Sequence, residues 1–594
     1  MALNTLSDKL ELEFSKLNHN NAVVRITAPC KADISSINAI LNAGFSYFND
    51  KKRYSWEYEE GWSDGVEYIY NKHTQVLPIG LIPRAVRYLR DSKPKLKIKV
   101  SEDIRKIYSN PFGEVTREQI SAYADSLKLY NRKDNCPIIP YDHQLRLIET
   151  ALNRRRASLL ACTSAGKSLS LYIGVRYLTE VEKKRNVLVV VPSSALVKQL
   201  FTDFRDDYGW EKAKDHCTLI YGESDDKLSD KQKKALQELR LGEEAMLKEI
   251  TISTWQSLQN KPQSFFKVFD AVFIDEAHGT RGPVLREILE YCINATEFKV
   301  GLSGTLPDEG LDAAWIESGI GQKIEIVRLK ELVALGILTP VEIHAIKVPY
   351  DYDLRPYICR QNYQAEYSLI ANNGSRLAVM DLLIKAKKIT TNENTVILYR
   401  NKDTLEEMHQ YLKEHHPQFK YRVIQGDIGV DERDEIRQEL EGSAGHIVIA
   451  TYGTMKQGVN IKFLHNLVFA EFSKSMYEVV QSIGRIVRPH KLKKLARVFD
   501  ICDDASYTTR SRSGGPGRVM LNYSMKHYET RKTYYAKDEI PIIELDLSGI
   551  YTGGIDEEIV EKKKAAAKKK AAVKNAKSNK KVVKGKGANS KFLS

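Results

Sequence analysis

The sequence predicts an α/β protein. Two doubly wound parallel-sheet domains stand in tandem, with a small α+β unit before them and a disordered lysine-rich tail behind. Three observations carry that expectation. Apolar runs of three to five residues recur between stretches of helical length, the pattern of strands buried on both faces of a parallel sheet. The pattern occurs twice. The first series is Ser158–Ala161, Val187–Val191, Thr218–Tyr221, Ile250–Ser253, Ala271–Ile274 and Lys299–Leu302. The second is Thr395–Tyr399, Arg422–Ile424, Ile447–Ala450, Asn466–Ala470 and Val498–Ile501. Finally, 594 residues are too many for one hydrophobic core. The expected boundaries are 1–120, 121–340, 341–548 and 549–594. No sequence repeat links the two central halves, so the duplication is architectural.

The first unit has an aromatic centre, Phe45–Tyr70. Tyr54, Trp56 and Tyr58 alternate, as do Val66, Tyr68 and Tyr70, which is the period of a strand. Asn49-Asp50 and Ser63-Asp64-Gly65 are turn signals between the runs. The reading is a small antiparallel meander, flanked by helices over Ser35–Ala43 and Pro83–Arg90 with proline near the second helix's start. One aromatic face is core. The other, beside Lys51, Lys52 and Arg53, is either core as well or a surface suited to stack on bases.

Composition excludes several classes. No run of about 18 apolar residues exists, so no membrane span is expected. The start, MALNTLSDKLELEF, lacks the basic and apolar regions of a secretory signal. The seven cysteines (30, 136, 162, 217, 292, 359, 502) form no C-x-x-C pair, which argues against a zinc site or disulfide framework. A reducing compartment, the cytoplasm, follows. Of the net charge of +14, residues 561–594 carry +12 through thirteen lysines and one glutamate, so the body is nearly neutral. Such a tail is expected to be disordered and to meet nucleic acid without sequence preference and with strong salt dependence.

ACTSAGKS (Ala161–Ser168) lies between a strand and a helix. Gly166 permits tight wrapping, and the amides of Thr163, Ser164, Ala165 and Gly166 are placed to meet phosphate oxygens. Lys167 reaches the β and γ phosphates, and Ser168 offers a hydroxyl to Mg²⁺. Ala161 stands where the pattern usually has glycine. In AVFIDEAH, four apolar residues put Asp275 and Glu276 at the carboxyl end of a buried strand, where open α/β sheets bind ligands. Asp275 would hold Mg²⁺, and Glu276 would orient or deprotonate the attacking water of an ATP hydrolase. His278, with the SGT of Ser303–Thr305, would couple hydrolysis to a second site. Gln144, 23 residues before Lys167, is suited to adenine because an amide both donates and accepts, with Tyr141 in support. In QSIGRIVR, Arg485 and Arg488 are three apart on a predicted helix and share a face. Two guanidinium groups there would stabilise charge on a γ-phosphate.

Together these motifs resemble superfamily 2 helicases. The segments VPSSALVKQL, TISTWQSL, IQGD and ATYGTMKQGVNI complete the family order over residues 141–488. More narrowly, CTSAGKS, the long first unit and His527–Leu547 resemble the phage UvsW group of DNA helicases. The resemblance implies RecA-like domains and ATP-driven translocation on nucleic acid. It implies strand contacts from Pro192, Ser193, Ser194, Thr254 and Trp255 in the first lobe, and from Gly426, Thr451 and Thr454 in the second. Gly458, Asn460 and Gln481 would couple that grip to ATP. SGT stands where many relatives have SAT. The implied function is remodelling of branched DNA by a monomer, with a single-strand-binding protein as a candidate partner. An RNA helicase and an ATP-gated annealing or clamp factor are the competing readings. Intact Lys167, Glu276, Arg485 and Arg488 argue against the last.

Overall fold

The computed structural model describes residues 11–27, 31–50, 52, 55–132, 135–221, 247–371, 374–424, 430–456, 461–509 and 517–547. It divides into two compact units, Met1–Leu338 and Thr339–Ser594. No helix among the described residues is long and apolar enough to cross a membrane.

The first unit opens with β1 (Glu11–Lys16), β2 (Asn21–Thr27) and α1 (Lys31–Gly44). A short ribbon, β3 (Ser46–Phe48) and β4 (Val66–Tyr68), follows, then β5 (Val76–Pro78), α2 (Ile82–Ser92) and β6 (Lys97–Val100). Strands β5-β2-β1-β6 form one sheet, antiparallel except for the β1–β6 pair. Leu12, Phe14, Ala22 and Val24 alternate inward from β1 and β2 to meet Leu41 of α1 and Leu89 of α2. Both helices form where expected, and proline opens α2. The meander does not. Trp56–Glu59 is one turn of helix, because Ser55 accepts a hydrogen bond from the Tyr58 amide and caps it. Three alternating residues are too few to separate a strand from such a turn. Tyr54, Lys51 and Arg53 lie outside the described residues. Val66–Tyr68 does form a strand, paired to β3 rather than to the Trp56 segment. Tyr70 turns into the core and donates to Asn38 Oδ1 at 2.6 Å, while Trp56 and Trp62 stay exposed.

The first lobe is built on α3 (Asp142–Arg154), β7 (Arg156–Ala161), α4 (Lys167–Glu180), β8 (Val187–Val191), β9 (Cys217–Ile220) and β10 (Ile250–Thr254). It continues with β11 (Ala271–Asp275), β12 (Lys299–Ser303), α5 (Gly310–Gly319) and β13 (Lys323–Val327). All seven strands are parallel, in the order β9-β10-β8-β11-β12-β7-β13.

The second lobe comprises β14 (Val341–Pro349), α6 (Ser375–Lys385), β15 (Thr395–Tyr399), β16 (Lys420–Ile424), β17 (His446–Thr451) and β18 (Asn466–Phe469). It ends with α7 (Met476–Ile486), β19 (Ala496–Asp504), α8 (Tyr523–Lys537) and β20 (Ile542–Asp546). Its order is β16-β17-β15-β18-β19-β14-β20, again all parallel. Each label is seven above its counterpart in the first sheet. The two sheets share one strand permutation, so these are two RecA-like domains in tandem. Strands β13, β14 and β20 were not expected. The first and last are half-exposed at sheet edges, and Glu342, His344 and Lys347 break the apolar run of β14.

Two buried arginine–aspartate forks tie helices to β19. From α6, Arg376 grips Asp503 at 2.5 and 2.6 Å. From α8, Arg531 grips Asp500 at 2.7 and 2.8 Å, and Tyr535 donates to the same carboxylate. Arg531 and Asp500 are at most 1% exposed, so removing one partner strands the other charge in the interior. Asp500→Asn is expected to destabilise the second unit by roughly 3–5 kcal/mol. Hydrogen exchange resolved over residues 339–547 under mild urea checks this; protection at the wild-type level would refute it.

Candidate nucleotide site

The carboxyl ends of three adjacent strands, β11, β12 and β7, bring the site together. After β7 the chain turns through Cys162–Gly166 into α4. Ser164 and Gly166 take left-handed backbones, φ +71° and +76°, which turns successive amides inward as a phosphate cradle. Ala161 ends β7 without such a backbone, so the missing glycine removes nothing the loop needs. The loop is fixed from α3. His143 Nε2 lies 2.8 Å from the Ala165 carbonyl, and Gln144 Nε2 donates to the carbonyls of Ala165 and Gly166 at 3.2 and 3.4 Å. A Cβ on Gly166 would sit 2.1 Å from that nitrogen. Gln144 Oε1 meanwhile accepts from the Tyr141 amide at 2.9 Å. Tyr141 is half exposed and stacks on His143, with centroids 5.6 Å apart.

Lys167 Nζ reaches back to the carbonyls of Ala161 and Cys162, at 3.2 and 3.4 Å. Ser168, in the first turn of α4, is hydrogen-bonded with the partly buried Tyr208 phenol. Across the edge, burial and the neighbouring charge of Glu276 push the Asp275 carboxyl up to about 6. Burial pushes Glu276 the same way, but the His278 hydrogen bond, the Lys167 charge and the Ser303 hydroxyl outweigh it and hold the group down at about 2. The pair titrates as one unit with Asp275 as its proton-holding member. Glu276 also has a left-handed backbone, φ +53°, a strained geometry costing about 1–3 kcal/mol.

Ser303, Glu276 and His278 form a triangle. Ser303 Oγ lies 3.2 Å from Glu276 Oε2, and His278 Nδ1 lies 3.2 Å from that oxygen and 3.3 Å from Ser303 Oγ. Thr305 closes it, donating its amide to Ser303 Oγ at 3.2 Å. Gly304 lies against the phosphate loop. A Cβ there would be 2.7 Å from Thr163 Oγ1 and 3.5 Å from Lys167 Nζ. The structure fits Mg²⁺ and a nucleotide. Hard oxygen donors from Ser168 and Asp275 suit that ion, and among the described residues the partly buried Asp275 carboxyl is ion-paired with no cation.

In the first lobe the strand-contact candidates follow the carboxyl ends of β8 and β10. Ser193 caps the helix Ser194–Thr202 by accepting from the Leu196 amide. Thr254, at the end of β10, caps the next turn by accepting from Ser257 N at 3.2 Å. Gln256 donates to the Pro192 carbonyl at 3.5 Å, and Trp255 is partly packed into the lobe's core. In the second lobe Thr451 ends β17, the counterpart of β10, and accepts from Thr454 N at 3.3 Å; the two hydroxyls are 2.5 Å apart. Both lobes thus carry a threonine capping the residue three further on. Gln481 and Arg485 lie on α7. Arg488 lies beyond the helix, past the C-cap Val487. The helix expected to carry both arginines therefore holds only Arg485, and Lys493 donates to the Ile486 carbonyl at its end, at 2.8 Å. Gly426, Gly458 and Asn460 lie outside the described residues. The sequence reading missed His143, Tyr208 and the fit of Gly304 to Thr163. For His143, its place beside Gln144 was the available signal.

These are the parts of a superfamily 2 helicase, and the chain is one, an ATP-dependent enzyme with two helicase domains. Residues 116–308 match the type III restriction enzyme res subunit family, and residues 376–490 match the helicase conserved C-terminal domain. The chain resembles the phage UvsW group. It is 26% identical to the ATP-dependent DNA helicase uvsW of Enterobacteria phage T4 over 83% of this chain and 92% of that one. The T4 UvsW crystal structure aligns at TM-score 0.42 and 24% identity, over 90% of this chain and 99% of that one. A fragment of a putative HsdR subunit of a type I restriction enzyme from Vibrio vulnificus YJ016 aligns at TM-score 0.46 and 18% identity, over 73% and 72%.

Gly304→Ala is expected to press a methyl onto Thr163 and slow turnover by roughly tenfold to a hundredfold. Steady-state ATPase kinetics check this, and unchanged kcat would show that the loop yields freely.

Proposed function

We propose that this chain couples ATP hydrolysis to movement along DNA. It would remodel branched DNA by unwinding, branch migration and fork regression, in recombination, repair and replication. The convergence of Lys167, Asp275, Glu276 and Ser303 at one sheet edge carries the reading, and similarity to a DNA helicase over most of the chain supports DNA as the substrate.

Lys167 would exchange its carbonyl partners for the β and γ phosphate oxygens. The amides of Thr163–Gly166 would cradle those phosphates. Ser168 and Asp275 would hold Mg²⁺, which supplies positive charge to the transferring phosphoryl group. Glu276, kept ionised by His278 and Ser303, would orient the attacking water. Tyr141 offers its ring to adenine. Gln144 spends both amide hydrogens on the phosphate loop and would recognise adenine only through the remaining lone pair of Oε1. Arg485 and Arg488 would meet the γ-phosphate from the second lobe. Pro192, Ser193, Ser194, Thr254 and Trp255, with Gly426, Thr451 and Thr454, would hold one strand's backbone. Gly458, Asn460 and Gln481 would link that hold to ATP. Residues 1–120 would read branched substrates, and the lysine-rich tail at 549–594 would add affinity through charge. The enzyme would act as a monomer in the cytoplasm, a single-strand-binding protein being a candidate partner. ATPase assays with single-stranded DNA, duplex DNA, a four-way junction and RNA as separate activators test this. Stimulation by RNA alone would refute DNA as the substrate.

Lys167→Ala is expected to lower turnover by at least about 10³-fold while leaving DNA binding intact; normal ATPase activity would remove the phosphate-loop assignment. Glu276→Gln should bind ATP and hold DNA more tightly with ATP than without, measured by fluorescence anisotropy.

Arg485→Ala and Arg488→Ala should each slow hydrolysis on the order of 10³-fold with little change in ATP binding. Wild-type turnover in either variant would give that arginine another role.

A further inference from the structure

Helix α5 starts five residues after Thr305 and is held on three sides. Through Leu306–Glu309 it continues the Ser303–Thr305 segment. Its Asp312 accepts from Arg281 Nη1 at 3.0 Å, and Gly319 lies so close to Thr280 that a Cβ would stand 3.1 Å from the Thr280 methyl. Both of those partners belong to the segment that follows Asp275 and Glu276. On the third side is the N-terminal unit. Leu311, Ala314 and Trp315 of α5 pack into that unit's core. Arg84 of α2 pairs with the buried Glu317 at 2.5 Å. Gly80 fits so tightly that a Cβ would lie 2.0 Å from the Glu317 carbonyl oxygen. One helix thus touches the phosphate-sensing segments and completes the core of the N-terminal unit. A cavity of about 20 Å³ lies beside it, lined by Arg84, Leu306, Pro307, Asp308, Ile316 and Glu317.

We propose that the N-terminal unit sets the position of Ser303–Thr305 through α5, with Arg84 and Glu317 as positioning residues, so that nucleic acid held by this unit raises ATP turnover. The inference rests on the helicase reading above. A pair that only glued the unit in place would change stability and affinity. A relay changes the stimulated rate at unchanged affinity.

The test uses the full chain with Arg84→Gln, Glu317→Gln, the exchange Arg84→Glu with Glu317→Arg, and Asp312→Asn. Asp312 is exposed, so that variant does not endanger the fold. Basal ATPase, junction-stimulated kcat, KM for ATP, and junction Kd by anisotropy are measured for each. The single variants at 84 and 317 are expected to lose at least about fivefold of the junction-stimulated rate. KM and Kd should stay within about twofold of wild type. The exchanged pair should recover most of the loss, and Asp312→Asn should show a smaller deficit of the same kind. Wild-type stimulation in Arg84→Gln overturns the proposal, as does a loss that follows weakened junction binding. A wild-type enzyme stimulated by no nucleic acid overturns the helicase reading and the relay with it. Stimulation that survives all four variants overturns the relay alone.

Discussion

Everything in the first lobe depends on strand parallelism. Seven parallel strands deliver every carboxyl end to one edge, and β11, β12 and β7 are neighbours there. Segments more than a hundred residues apart in sequence therefore meet within hydrogen-bonding distance. Parallel strands need covered crossovers, so both faces must be apolar. Only the edge is left for charge. Asp275, Glu276, Lys167 and Ser303 occupy it, and the partly buried setting makes their mutual influence strong.

The rigid frame also sustains unfavourable local geometry. Ser164 and Glu276 are non-glycine residues with positive φ, and each pays for that conformation. Contacts from elsewhere hold them. Gln144 and His143 brace the phosphate loop, while Ser303 and His278 flank Glu276. Gly166 shares that left-handed backbone without strain, and both it and Gly304 leave room for a neighbouring side chain.

The central strands were legible because Val187–Val191 or Ile447–Ala450 can satisfy their apolar content only inside a covered sheet. The edge strands were not, since Lys323–Glu325 are open or partly open to water and only Ile326 and Val327 are buried, which loses the signature. In the N-terminal unit, Leu12–Phe14 and Ala22–Val24 carried a short alternation that the louder aromatic run at 54–58 concealed. At the site, residues within contiguous motifs could be named from sequence. Tyr208 beside Ser168, Thr163 beside Gly304 and Arg84 beside Glu317 could not, because such pairs arise only when distant segments pack. The end of the helix between Arg485 and Arg488 was likewise not marked by the apolar periodicity of the segment.

The shared core around α5 bears on how this chain can be cut or recombined. Residues 1–120 are not a bead on a string. Severed there, the first lobe would expose Leu311, Ala314 and Trp315 to water and leave the Glu317 carboxylate without its guanidinium. The excised fragment would in turn lack one wall of its interior. A protease is therefore expected to find no clean joint between them. In genetic terms the pair behaves as an inseparable cassette.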